Sequence, residues 1–412
     1  MLSLILPIIM IRIGCVYRRV IMDFMQAVNA MTGSITKYPI EVFCKDTLII
    51  KCKISCVSDI IVEDVTQIEN TFINITNIAM ILNKRCAVIN RYGIFEHLKE
   101  VDIKSKLDLL RVTHGVSITD CLWIRFEGET ISWKHVNPFK GSYMFDINWF
   151  IESKDPILRL VLPNYSTDGQ FAKCWKSNSC GHFLIKTGSS GAYNASLEPI
   201  SEILFKQIAK EVGYNNHVEY KPYFIDYTGT NYNYKQPSLL KDTIGPNNKR
   251  LATECKVFTN EDASLITAHE LGLTAYEDCI RFAKEFTTNS SDMIYMLMCD
   301  CIGFNTDRHM GNIGFLYNPD NMQIYEVAPM YDNNVSMLCY WDDREDIKEY
   351  AFSLRAKDGS DFSDLAKMLM HDYSSIKSRI NNADFNITSN LIINDRANKL
   401  TDVIRANVKR LI

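Results

Sequence analysis

The sequence predicts an α+β fold in which a strand-rich segment precedes a mainly helical one, with a smaller α/β region ahead of both. Three observations carry this. Short apolar runs separated by turn residues dominate residues 151–258. A helical period dominates residues 259–412, apart from one hairpin. Before residue 150, "TLIIKCKISCV" alternates like a strand and "IENTFINITNIAMILNKR" returns to a helical period. The 412-residue chain therefore divides into an N-terminal extension, 1–21, an N-terminal region, 22–150, a strand-rich part, 151–258, and a helical part, 259–412.

Composition excludes several classes. Hydrophobic residues make up 47% and charged residues 23%, the balance of an ordinary globular chain whose core needs no disulfide or structural metal. A net charge of −4 leaves no global nucleic-acid footprint. The 13 cysteines are scattered, mostly within apolar runs such as "YMLMCDCIGF". They form no C-x-x-C and no zinc-spaced Cys/His set, Cys52 and Cys56 being the nearest cluster. They read as reduced thiols of a cytoplasmic protein. The apolar run Leu2 to Ile11 contains Pro7 and, at about ten residues, is too short to span a bilayer. Arg12, Arg18 and Arg19 follow that run, whereas a signal peptide places its basic residues first. The run reads as a short buried element or as the product of an upstream start codon, with the true start near Met22.

The elements follow in order. The N-terminal region opens with a helix around "MDFMQAVNAM" and closes on Trp123, Phe126 and Trp133, three anchors of a core or domain interface. "ILRLVLPNYSTDGQFAKCWK" reads as strand, turn and strand, with the turn at Ser166 to Gly169. "GHFLIKTG" is a short strand ending near Lys186. "EPISEILFKQIAKEVG" is a helix, with Pro199 in its first turn, Glu198 and Glu202 near its positive end and Gly213 as its stop. The "GSSG" stretch between them is a flexible connection, with autophosphorylation of Ser189 and Ser190 as the alternative. "FIDYTGTNYNYKQPSLLKDTIGPNNKR" is polar and loop-like, and "LATECKVFTNE" restores an extended run. "NSSDMIYMLMCDCIGF" is a capped apolar helix, "NIGFLYN" and "MQIYEVA" form a hairpin around "PDN", and "PMYDNN" follows.

The chemistry sits between that helix and the end of the hairpin. "NTDRHMGN" places Asp307 and Asn312 just before the hairpin, and Asp332 lies just after it. The two ends of a hairpin lie close together, so the three side chains converge. Two carboxylates and an amide oxygen are hard ligands that suit Mg²⁺ completed by substrate phosphates. Asp307 and Asn312 are five residues apart, the spacing of catalytic Asp and metal-binding Asn in protein kinases, and a second metal-binding Asp follows there too. Lys186 on a strand and Glu202 on the next helix repeat the order of the kinase lysine–glutamate pair, with Glu198 as an alternative on the same helix.

These residues resemble a family. "GFNTDRHMGNIGFLYN…VAPMYDNN", "STDGQFAKCW", "HFLIK" and "SEILFKQIAKEVG" are similar to HipA-like serine/threonine kinases, from about Ile157 to the C-terminus. The "DRHxxN" core is also similar to that of phosphoinositide kinases. The resemblance implies a bilobal protein-kinase-like fold, with a β-rich N-lobe and a mainly helical C-lobe, using ATP and Mg²⁺ to phosphorylate Ser or Thr of a protein. It implies that Asp307 handles the proton of the attacking hydroxyl, that His309 braces the catalytic loop, and that Asn312 and Asp332 hold the metal. Lys186 would grip the phosphates with Glu202 positioning it. Ser166, Thr167, Asp168, Gly169 and Gln170 would cover the phosphates. Glu254 to Phe258, with Lys256 and Phe258 as nucleotide-binding residues, would form the hinge that hydrogen-bonds adenine through its main chain. The implied partners are a protein substrate and an antitoxin-like or regulatory protein of a toxin–antitoxin pair. The chain departs from the kinase pattern in its single-glycine loop, in Asn333–Asn334 after Asp332, and in residues before 150, which do not match the family. The competing functions are a small-molecule or lipid kinase, weakened by the lack of a polybasic run, and an inert nucleotide-binding regulator. A metal-dependent hydrolase is a distant fourth.

Overall fold

The computed structural model describes residues 36–86, 103–141, 171, 173–189, 197–226 and 249–412. The expected helix near residue 22, the strand and turn over 157–170 and Ser190 lie outside the described residues. The fold is a mixed α+β one, with three antiparallel sheets and ten α-helices among the described residues.

The first sheet has the order β3-β2-β1-β4. Its strands are β1 (Tyr38–Cys44), β2 (Thr47–Cys56), β3 (Ile60–Gln67) and β4 (Leu122–Phe126). β2 is the alternating run read from the sequence, its buried residues Ile50, Cys52 and Ile54 separated by exposed Lys51 and Lys53. Helical structure arrives later than the periodicity suggests. It is confined to α1 (Ile78–Arg85). Over 71–77, Thr71, Asn74 and Asn77 bond their side chains to nearby backbone and so offer it an alternative to the helix ladder. Two further helices, α2 (Lys106–Thr113) and α3 (Trp133–Val136), flank β4 in sequence. Trp123, Phe126 and Trp133 are all buried.

The second sheet comprises β5 (Lys173–Asn178), β6 (Gly181–Thr187), β7 (Lys221–Asp226) and β8 (Lys249–Lys256), in the order β5-β6-β8-β7. β7 contains "FID", expected as the start of a polar loop. An edge strand with only one neighbour tolerates that polarity. α4 (Glu198–Glu211) packs on β8 and on a central helix, Ser291–Gly303. The register aligns Lys173, Lys186 and Thr253 side by side across β5, β6 and β8. Directly paired residues share a face, so the three side chains address one surface.

The remainder holds α5 (Tyr276–Phe286), α6 (Ser291–Gly303), α7 (Ile347–Ser353), α8 (Phe362–Asp372), α9 (Ser374–Asn382) and α10 (Asn394–Leu411). The expected hairpin, β10 (Gly314–Asn318) and β11 (Gln323–Val327), is joined by an unexpected third strand, β9 (Ser264–Thr267). "SLIT" is too short for a pattern to reveal, and its partner β10 is remote in sequence. α6 is buried almost all round, and its terminal carbonyls need partners. Asn407 of α10 donates to Cys301 O at 2.9 Å and Ile302 O at 3.2 Å.

One hydrophobic cluster runs through all these parts. The N-terminal region seats on β9 and the hairpin: Leu265 N–H donates to Thr119 O at 2.8 Å, and the rings of Phe72 and Tyr317 meet edge to face. The described cysteines are all free. Among the described residues no helix is long and apolar enough to cross a membrane.

The contact of α4 with α6 sets where the polar loop after α6 begins. A Cβ on Gly303 would stand 2.5 Å from Cε2 of the fully buried Phe205. Gly303→Ala is therefore expected to destabilise the protein by about 1–3 kcal/mol in denaturant unfolding. An unchanged midpoint would refute this packing.

Candidate active site

A cavity of about 260 Å³ opens where the second sheet meets the hairpin and the N-terminal region. One wall carries Lys173, Lys186 and Asp332, the floor Asn312, His309 and Gly311. Val257, Phe258 and Thr259 line it where the chain leaves β8.

Lys186 is the hub. Its ammonium donates to Glu202 Oε1 at 2.8 Å and also to Asp332 Oδ1. Glu202 in turn accepts from Thr253 Oγ1 at 2.8 Å. Glu198, the alternative, lies elsewhere and accepts from Tyr340 Oη at 3.0 Å. Burial works against the charge on Lys186, but the two carboxylates outweigh it and raise its pKa. Burial likewise opposes ionisation of Asp332, yet Lys186 and then Lys173 overcome it and hold the carboxyl at about 2. For Glu202 burial dominates, and its pKa shifts upward despite Lys186 and Thr253.

Asp332 is placed by its backbone. Its φ of 54° is left-handed, a conformation Asp tolerates better than most residues at a cost of roughly 1 kcal/mol. The segment before it is clamped by Val218 N–H to Met330 O and by Met330 N–H to Asn216 O, both 2.9 Å. Asp332 N–H donates to Tyr220 Oη at 3.0 Å.

The loop at Asp307 has an internal anchor that the sequence reading passed over. Arg308 is buried and turns inward, donating to both carboxylate oxygens of Asp300 at 2.8 and 3.1 Å. It also donates to Asn312 O at 2.9 Å, to Tyr331 O at 2.6 Å and to Asn333 Oδ1. One guanidinium thus ties the end of α6, the loop and the segment around Asp332 together. His309 Nδ1 accepts from Gly311 N–H at 3.0 Å, a bracing contact. Asn312 Nδ2 donates to Asp307 O at 3.2 Å. Asp307 itself receives Lys357 Nζ on Oδ1 at 2.6 Å.

The expected site residues thus fall into groups. Lys186, Glu202 and Asp332 are in contact, Asn312 and His309 share their cavity, and Asp307 adjoins Asn312. Lys256 and Phe258 line the same cavity. Glu254 to Lys256, expected within the hinge, are the end of β8, and Glu254 pairs with Lys176 at 2.9 Å. Ser166, Thr167, Asp168, Gly169 and Gln170 lie outside the described residues. Among the described residues no three His, Cys, Asp or Glu side chains form a metal cage. Asn312 and Asp332 are a sparse set that fits an ion sharing its coordination with phosphates and water.

Lys173, Thr253, Arg308 and Tyr220 escaped the sequence reading. Arg308 stood inside the motif, and Lys173 and Thr253 follow from strand register. Lys84, Arg85, Thr119 and Asp120 of the N-terminal region line the cavity together with Lys186. Arg85 forms a buried pair with Asp120 at 2.6 Å, and Lys84 Nζ lies 3.1 Å from Glu270 Oε2. Glu270 also accepts from the hydroxyl and N–H of Thr267, at 2.6 and 2.9 Å. Burial disfavours its charge, but Lys84, Arg85 and Thr267 outweigh that and hold it at about 2.

A carboxylate depressed in the folded state stabilises the protein above its unfolded pKa, near 4.5, and that contribution is lost as pH falls toward 2. Glu270→Gln should therefore remove up to roughly 3 kcal/mol of the stability lost between those pH values. Urea unfolding at pH 6, 4 and 3 measures it. A variant with the wild-type slope would contradict the assignment.

No family model matches this chain, and no curated protein matches it. Among solved structures, it is similar to the Helicobacter pylori proinflammatory kinase CtkA, at 16% identity and a TM-score of 0.37, covering 60% of this chain and 90% of that one. It is also similar to a Shewanella oneidensis toxin–antitoxin structure of HipA, HipB and operator DNA, at 11% identity and a TM-score of 0.45, covering 90% of this chain and 96% of that one.

Proposed function

We propose that the cavity is the nucleotide cleft of a kinase that transfers the γ-phosphate of ATP to Ser or Thr of a protein. The observation that carries this is the meeting of Lys186 with both Glu202 and Asp332, beside Asn312. β6, α4, the loop before the hairpin and the segment after it deliver a cation, two carboxylates and an amide to the cavity or directly behind its wall, the set that phosphoryl transfer uses. In this reading the second sheet and α4 form the lobe that holds the nucleotide. The hairpin and the surrounding helices form the lobe that carries the catalytic loop.

The base would lie against Val257 to Thr259, and the triphosphate would run toward Lys186 and Lys173. Lys186, held by Glu202, would neutralise phosphate oxygens. Asn312 and Asp332 would hold Mg²⁺, which when bound offsets charge on the β- and γ-phosphates. Asp307 would orient the acceptor hydroxyl and take its proton as the oxygen–γ-phosphorus bond forms. The bond from the γ-phosphorus to the bridging oxygen breaks, and ADP leaves. His309 would keep the loop in shape. Catalysis of this kind is mostly positioning and charge neutralisation. The protein acceptor, and control by an antitoxin-like partner, follow the family resemblance of the motifs.

Incubation of the purified protein with γ-labelled ATP and Mg²⁺, alone and in cell extract, tests this beside Asp307→Ala. Label should reach a protein band in the wild type and fall by at least about 100-fold in the variant, while ATP binding persists. Label only on a small molecule would refute the protein acceptor. Nucleotide binding without any transfer would refute the kinase.

The N-terminal region is read as part of the same cleft, since it carries Lys84 to Glu270 at the cavity wall. Lys84→Glu would set two carboxylates against each other there. The KM for ATP should rise roughly tenfold, about 1.4 kcal/mol, with kcat within a factor of about three. An unchanged KM would show that the region merely abuts the cleft.

A further inference from the structure

We infer that Lys357 is a positioning residue for phosphoryl transfer, supplied to Asp307 from a turn 50 residues downstream in sequence. The inference rests on the kinase reading above.

The catalytic loop offers no cation of its own to its carboxylate. "DRHMGN" contains no lysine. Its arginine, Arg308, is only 1% exposed and directs its guanidinium at Asp300, Asn312, Tyr331 and Asn333. His309 accepts from the Gly311 N–H. The positive charge at Asp307 is instead the ammonium of Lys357, 2.6 Å from Oδ1.

That ammonium is held on a built turn. Ala356 N–H donates to Ser360 O at 3.0 Å, and Gly359 N–H donates to Ala356 O at 2.9 Å, with Gly359 at a left-handed φ of 90°. Ser360 N–H donates to Asp358 Oδ1 at 2.9 Å. Asp361 closes the turn by capping α8 through Ser363 N–H at 2.8 Å, and by pairing with Arg410 of α10 at 2.9 Å. The turn is thereby fastened to two helices, and Lys357 projects from it with half its side chain open to solvent.

The geometry divides the labour of the carboxylate. Lys357 occupies Oδ1, and among the described residues Oδ2 carries no hydrogen bond. Asp307 N–H donates to Asn305 Oδ1 at 3.1 Å, fixing the backbone as well. Oδ2 is then the oxygen that meets the acceptor hydroxyl and takes its proton as the new oxygen–phosphorus bond forms and ADP departs. Lys357 keeps its proton and charge throughout. An exposed ion pair adds little to folding, so loss of Lys357 should leave stability near that of the wild type.

Steady-state kinetics of Lys357→Ala, Lys357→Met and Lys357→Arg test this. The Ala and Met variants should lose roughly 10- to 100-fold in kcat, with the KM for ATP within about twofold of wild type. Arg, which keeps a cation on Asp307, should recover most of the loss, and all three should melt with the wild type. Wild-type kcat in the Ala variant, an increase that would mark Lys357 as a blocking clasp, or rescue by Met as good as by Arg would each overturn the inference. A wild type that transfers no phosphate would instead bring down the kinase reading, and this inference with it.

Discussion

One ammonium group is the junction on which the cleft depends. Lys186 stands on β6, Glu202 on α4 and Asp332 beyond the hairpin, and they touch only because sheet, helix and hairpin are packed as they are. Burying such a triad does little for stability, since desolvation consumes most of the Coulombic gain. An apolar trio of the same volume would hold the fold as well. What the triad contributes is a requirement: any packing that separates the three segments leaves uncompensated charge in a buried place, at a cost of several kcal/mol.

Arg308 applies the same logic one layer deeper. The end of α6, the loop and the segment around Asp332 all carry polar groups that cannot reach water. Arg308 and Asp300 satisfy them together. This explains why a strongly polar motif lies between apolar stretches. The motif faces two ways: His309 and Asn312 line the cavity, and Arg308 looks into the core. Asn407 extends the scheme by closing the last carbonyls of α6, so the loop departs from a fixed point.

The N-terminal region changes how the cleft is bounded. Its sheet shares the hydrophobic cluster with the rest of the chain, and α1 brings Lys84 and Arg85 to the cavity wall. These charges keep Glu270 ionised within a buried setting. A nucleotide entering this cavity would meet side chains from all three sheets or the helices beside them.

The sequence by itself determined what local chemistry decides: the alternation of β2, the apolar run of α6, though not the side-chain cap expected at its start, the hairpin turn at "PDN", and the spacing of Asp307, Asn312 and Asp332. Each of these depends on neighbours within a few residues. Lys186 and Glu202 were legible because strand and helix are adjacent in sequence and follow a recurring order. Tertiary structure alone decided the rest. β9 is too short to carry a period, and its partner lies some 50 residues away. Glu202 rather than Glu198 meets Lys186 because α4 packs with Glu202 against the sheet, where it also takes the Thr253 hydroxyl, while Glu198 meets Tyr340. Lys84 and Lys357 reach the site from positions whose neighbours give no hint of it, since a long side chain on a helix or a turn looks the same in sequence whether or not a carboxylate waits opposite.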